Sequence, residues 1–180
     1  MRPMARQSSM WVFAYGSLMW RPGFDYIRAT PAALHGFHRR LCVYSHQYRG
    51  TPDKPGLVFG LDRGGSCRGM AFEVAGSQWP ETLAYLCDRE QLTNIYIEIF
   101  KRVQAAGLHE PVEALCFVAN RQHAQYAGAL PVQEIMSLIK QGQGQFGPCE
   151  DYVRQTADCL KNLKIRDRNL EKITDLLATH

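Results

Sequence analysis

Two short stretches of this chain carry residue types suited to chemistry. The first is Trp11-Val12-Phe13-Ala14-Tyr15-Gly16-Ser17-Leu18, an apolar run that ends in a Gly-Ser turn. Gly16 lets the backbone adopt angles closed to other residues, which frees N–H groups to point outward at an anion or a developing oxyanion. The second is Arg89-Glu90, which supplies a carboxylate. A carboxyl group held partly out of water can take up a proton and return it near neutral pH. Together the two stretches form a candidate active site. On the residues alone, the plainer reading of Glu90 is a surface glutamate at a helix end, paired with Arg89.

The rest of the composition narrows the alternatives. The net charge of +4 is modest, and its basic residues cluster only at Arg39-Arg40 and over 161–168. The second cluster falls at helical spacing beside an apolar stripe, as a solvated helix face does. Neither cluster has the aromatic interleaving of a single-strand groove, so nucleic acid is not an expected partner. The six cysteines, at 42, 67, 87, 116, 149 and 159, form no C-x-x-C pair, and no His-x-x-x-His cluster accompanies them. No metal site is expected, and the cysteines read as small buried hydrophobes of a reducing, cytoplasmic compartment. His35, His38 and His46 show no ligand spacing. No apolar run approaches membrane-spanning length, so no membrane association is expected.

The elements that must position these residues can be read from hydrophobic period. Residues 1–10 read as a frayed lead-in and 11–15 as a strand. The alternation over 34–44 predicts a strand with two differently occupied faces. Residues 50–56, with two prolines and two glycines, predict a turn-rich loop. Segments 57–61 and 67–74 flank the turn-like 62–66 and predict a hairpin. Trp79, Leu83, Leu86 and Cys87 recur at helical spacing, with Ser77 as the expected cap and Pro80 in the first turn. The run 95–100 and the run 112–119 predict a second hairpin across Gly107. Three late helices complete the chain, carrying Ile135, Leu138 and Ile139, then Tyr152 to Leu163, then Leu170 to Leu177 with Asp167 as cap. A flexible loop is expected over 142–147. Strands first and helices last predict an α+β fold in a single domain spanning 1–180.

These residues resemble a known family, the ChaC-type glutathione-specific γ-glutamylcyclotransferases. The resemblance rests on Val12-Phe13-Ala14-Tyr15-Gly16-Ser17-Leu18-Met19-Trp20, Gly36-Phe37-His38-Arg39-Arg40 and Arg49-Gly50-Thr51-Pro52. It continues through Tyr85-Leu86-Cys87-Asp88-Arg89-Glu90, Tyr96 and Glu150-Asp151-Tyr152-Val153, and covers roughly 11–177. It implies the γ-glutamylcyclotransferase-like fold, a small mixed β-barrel flanked by helices. Many relatives place glycine before the tyrosine matching Tyr96, where this chain has Ile95, a difference that bears on substrate preference.

The resemblance also implies a reaction. The α-amine of a γ-glutamyl group attacks its own γ-carbonyl, closing 5-oxoproline and releasing Cys-Gly from glutathione without a cofactor. By resemblance Glu90 is the general acid/base. Phe13, Ala14, Tyr15, Gly16, Ser17 and Leu18 cradle the γ-glutamyl end, and Tyr96 and Tyr152 approach the substrate. Arg39 and Arg49 are both candidates for a substrate carboxylate, since a guanidinium binds one in bidentate fashion. Other γ-glutamyl compounds as substrates, or a non-catalytic sensor of such a ligand, are the competing readings.

Overall fold

The alternating segment around residues 34–44 is longer than its period suggests. In the computed structural model, which describes residues 8–91 and 93–179, it forms strand β2 over Arg28–Ser45. It pairs antiparallel along most of its length with β3, Gly56–Val74. The short strand β1, Met10–Ala14, lies antiparallel to β3, with Met10 opposite Val74 and Ala14 opposite Met70. Strands β4, Tyr96–Ala105, and β5, Val112–Ala119, form the expected hairpin. Parallel pairing of Trp11 with Ala114 and Val12 with Leu115 then closes the sheet into a barrel, in the order β1-β3-β2-β4-β5. Closure leaves β1 paired on both sides, so the turn after it starts from a fixed point.

Helix α1 spans Trp79–Glu90, α2 Val132–Gln141, α3 Cys149–Asn162 and α4 Arg168–Ala178. Their apolar stripes carry Leu86, Leu138, Ile139, Val153, Leu160, Ile173 and Leu177 into one core with Val12, Phe13, Leu34, Leu61, Leu115 and Phe117 of the barrel. Each such side chain contributes about 1.5–3 kcal/mol on full burial. The Asp167 side chain accepts the Leu170 amide at 3.1 Å and caps α4 as the sequence indicates.

Several expectations are corrected. The hairpin over 57–74 does not exist, because β3 runs unbroken through 62–66. Gly64 and Gly65 do take positive φ, +101° and +66°, but β2 bulges opposite them at Gly36, φ +88°, and pairing resumes on either side. Asp62 is not a turn residue: it is fully buried and receives Arg40 at 2.7 Å, Arg121 at 2.7 Å and Tyr126 at 2.9 Å. The cap of α1 is Gln78 rather than Ser77, with Pro80 in the first turn as expected. The lead-in over 1–10 is shorter than read, since Met10 belongs to β1 and Ser9 donates to Glu73 at 2.7 Å; residues 1–7 lie outside the described residues. The basic cluster over 161–168 is no single helix face, because it straddles the end of α3 and the start of α4.

The segment 142–147 is not a flexible loop. It folds into a miniature hairpin of β6, Gln143–Gly144, and β7, Gly147–Pro148. The amides of Gln145 and Phe146 donate to the carbonyls of Gln47 and Tyr48, both at 2.9 Å, which pins the hairpin to the loop after β2.

Candidate active site

The strand β1 ends at Ala14, and Tyr15 and Gly16 lead into a single 3-10 turn over Ser17–Met19. Within it Met19 N donates to Gly16 O at 3.0 Å and Arg21 N to Ser17 O at 2.7 Å. The amides of Gly16, Ser17 and Leu18 find no backbone acceptor among the described residues. They border a cavity of about 400 Å³ whose wall includes Tyr15, Gly16, Ser17, Leu18, Glu90, Tyr96 and Tyr152. The barrel thus gathers the sequence-predicted residues from the turn after β1 and from α1, β4 and α3. Phe13 and Ala14 are the exceptions. Both are fully buried in the core behind the turn, off the cavity wall, so they support the cradle without forming its surface.

Glu90 sits at the last turn of α1 with its side chain 15% exposed. Of the plainer reading the helix end and the Arg89 pairing hold, but the side chain is mostly buried rather than at the surface. Burial raises its pKa, and Arg89, whose Nε lies 3.4 Å from Glu90 Oε1, pulls the other way. Arg89 also donates to Ser17 Oγ at 2.9 Å, to Tyr85 Oη at 2.8 Å and to the Arg21 carbonyl at 2.7 Å. One guanidinium therefore ties the acid to the turn.

Two tyrosines bracket the Phe59 backbone with opposite polarity. The Tyr96 hydroxyl donates to Phe59 O at 2.7 Å, so its proton is spent and its lone pairs remain. The Tyr152 hydroxyl accepts from Phe59 N at 3.1 Å, so its own proton is left to donate elsewhere. Its oxygen lies beside Gly16, 3.2 Å from where a β-carbon there would stand. Burial holds both phenols well above their ordinary pKa, and the Glu90 charge adds to the effect, so both stay protonated.

The two candidate arginines separate. Arg39 is buried beneath the turn, where Nε donates to Tyr15 O at 2.6 Å, Nη2 to Arg68 O at 2.6 Å and Nη1 to Asp167 at 2.8 Å. It holds the cradle from below and is no part of the cavity wall. Arg49 lines the cavity, with Nη1 donating to the carbonyls of Phe146 and Pro148 at 2.7 and 3.1 Å. Its guanidinium lies over the Tyr152 ring, and no carboxylate among the described residues pairs with it.

A family model for ChaC-like proteins matches residues 10–180. The chain belongs to the ChaC-like family. Among its ChaC-like relatives, glutathione-specific γ-glutamylcyclotransferase 1 of Danio rerio is 34% identical over 88% of this chain and 82% of that one. The glutathione-specific γ-glutamylcyclotransferase of Escherichia coli is 28% identical over 96% of this chain and 73% of its own length. A crystal structure of a glutathione-specific γ-glutamyl cyclotransferase from yeast superposes with a TM-score of 0.88, covering 96% of each chain at 20% identity. That superposition bears out the γ-glutamylcyclotransferase-like α+β fold.

Some wall residues of this ChaC-like site escape a reading by motif. Tyr48 and Phe146 each contribute an aromatic surface to the cavity, as does Tyr85, which the motif around Glu90 contains without a role. Tyr48 and Phe146 stack with centroids 4.6 Å apart and planes 4° apart. The signal for Phe146 was a lone aromatic among glycines and glutamines, with no apolar period to claim it. Ile95, the departure noted beside Tyr96, turns into a small cluster with Cys42 and Val43 and does not face the cavity.

Proposed function

We propose that this chain is a γ-glutamylcyclotransferase that cleaves glutathione to 5-oxoproline and Cys-Gly, with Glu90 as its general acid/base. The observation that carries this reading is the burial of Glu90 in a cavity it shares with the turn at Gly16, Ser17 and Leu18, whose amides have no backbone acceptor among the described residues. The names of the relatives support the substrate.

The residues divide the chemistry. Glu90 as carboxylate takes a proton from the α-ammonium, and the raised pKa makes it a stronger base than an exposed glutamate. The freed amine attacks the γ-carbonyl carbon of the same glutamyl group, and the C–N bond to cysteine breaks as its nitrogen is protonated. Two protons leave the attacking nitrogen and two arrive on the departing one, so Cys-Gly leaves as its ammonium form and none is consumed. Tyr96, with free lone pairs, accepts from the substrate ammonium, and Tyr152 and the turn amides donate to the carbonyl oxygen as charge develops. Arg49 takes the α-carboxylate, the one anion a γ-glutamyl group always carries beside its amine. Holding the short chain folded supplies part of the roughly 7–11 kcal/mol open to well-oriented intramolecular reactions. The cysteines, none in a disulfide among the described residues, support placement in the reducing cytoplasm; no helix among those residues is long and apolar enough to cross a membrane.

The test is release of 5-oxoproline from reduced glutathione, beside γ-Glu-Ala and γ-glutamyl-ε-lysine. Glutathione is expected to react, and Glu90→Gln to lower kcat by about 10²–10⁴-fold while glutathione still binds. Release from another γ-glutamyl compound alone moves the substrate. Binding without turnover in the parent protein makes it a sensor.

A further inference from the structure

The cavity mouth holds a cation that the ring-closing chemistry does not use. Arg21 lines the cavity and is exposed, and no carboxylate among the described residues pairs with it. Its backbone is held at both ends, the amide by Ser17 O at 2.7 Å and the carbonyl by Arg89 Nη1 at 2.7 Å. Its guanidinium lies 5.3 Å from the centroid of the Phe146 ring, which in turn stacks on Tyr48. Phe146 is 52% exposed, an unusual position for so large an apolar side chain. The hairpin that carries it is pinned by backbone hydrogen bonds, so the aromatic pair and the guanidinium form a preset rim.

We propose that Arg21, set by Phe146 and Tyr48, is the recognition site for the terminal glycine carboxylate of glutathione, and so selects substrates by the length of the chain beyond the γ-glutamyl group. The inference rests on the cyclotransferase reading above. Glutathione has two carboxylates and one ammonium. The cavity offers Glu90 for the ammonium, buried Arg49 for the carboxylate beside it, and exposed Arg21 for a second anion. Arg89 is already engaged by Glu90 and four oxygen acceptors. Two residues of extended chain separate the reacting carbonyl from the terminal carboxylate, a reach of about 7 Å. A shorter γ-glutamyl amino acid carries its carboxylate one residue, about 3.5 Å, nearer the reacting carbonyl.

The experiment compares 5-oxoproline release from glutathione and from its glycine monoethyl ester, in which that carboxylate no longer carries charge. A charge-assisted contact at a partly exposed site is worth about tenfold in kcat/KM. The parent protein is therefore expected to prefer the acid by about tenfold, with the difference in KM. Arg21→Gln is expected to bring the acid down to the ester, erasing the preference, and Arg21→Lys to keep part of it. Equal use of acid and ester by the parent overturns the inference, as does an undiminished preference in Arg21→Gln. Release from neither compound by the parent overturns the cyclotransferase reading itself, and this one with it.

Discussion

Arg89 and Ser17, 72 positions apart in the chain, are joined by a 2.9 Å hydrogen bond from Nη2 to the serine hydroxyl. The same guanidinium faces Glu90 at 3.4 Å, so the carboxylate and the turn keep a common geometry. Burial raises the Glu90 pKa and Arg89 is the group that opposes the rise. Arg89→Met therefore moves the pKa further up. A base that protonates at higher pH loses its active form sooner as pH falls, so the acidic limb of kcat/KM shifts to higher pH. At neutral pH the lost positioning bond removes about a further tenfold. Rate profiles of the parent and the variant check both, and an acidic limb that stays in place contradicts the assignment.

The opposite hydrogen-bond polarity of Tyr152 and Tyr96 gives their phenylalanine variants different signatures. Tyr152→Phe removes a free donor and is expected to lower kcat by about 10²-fold. It also strands the buried Phe59 amide, at about 1–3 kcal/mol of stability. Tyr96→Phe removes an acceptor for the substrate ammonium and is expected to act mainly on KM. Steady-state kinetics on both variants, with melting temperatures alongside, distinguish the roles.

Asp167 caps α4 through one oxygen and pairs with buried Arg39 through the other. Asp167→Asn keeps an acceptor for the cap and loses the charge, and Asp167→Ala loses both. The alanine variant is expected to lose about 3 kcal/mol, since it leaves the Arg39 guanidinium without its anion, and the asparagine variant less. Denaturant unfolding measures the order. Because Arg39 also grips the Tyr15 carbonyl, a drop in kcat is expected to accompany the loss.

The backbone around Arg49 is packed too closely for side chains. A β-carbon on Gly142 would stand 2.5 Å from Arg49 O and 2.7 Å from Gly56 Cα, and one on Gly144 2.4 Å from the Tyr48 carbonyl carbon. Gly142→Ala is expected to cost about 1–3 kcal/mol by overpacking and to raise KM as Arg49 moves. Thermal unfolding and KM for glutathione check the two effects.

Much of this architecture was legible in local pattern. The β4–β5 hairpin, the helices and the Asp167 cap reflect period and capping chemistry, which act within a few residues. Composition read without tertiary context misled. Asp62-Arg63-Gly64-Gly65-Ser66 has the makeup of a turn, yet β2 bulges in step with it, and from beyond β5 Arg121 pairs with Asp62 while the Tyr126 hydroxyl donates to it. Residues 142–147 look loose because their anchors, the carbonyls of Gln47 and Tyr48, lie about a hundred residues upstream. Tyr15, Gly16, Ser17, Leu18, Glu90, Tyr96 and Tyr152, singled out by motif and by resemblance, all line the one cavity. The choice between Arg39 and Arg49 was not legible, because only the packing tells which guanidinium already has an anion.

The parallel pairing of Trp11 and Val12 with Ala114 and Leu115 joins segments about a hundred residues apart. Such long-range pairing is slow to form, because the loop must close before any contact rewards it. A ribosome that has released β1 and α1 has therefore made every atom of the turn and of Glu90 without yet making a pocket. The cavity is complete only once β5 lies beside β1 and Tyr152 on α3 lies beside Gly16, so a chain that has not yet reached α3 has no cavity to fill.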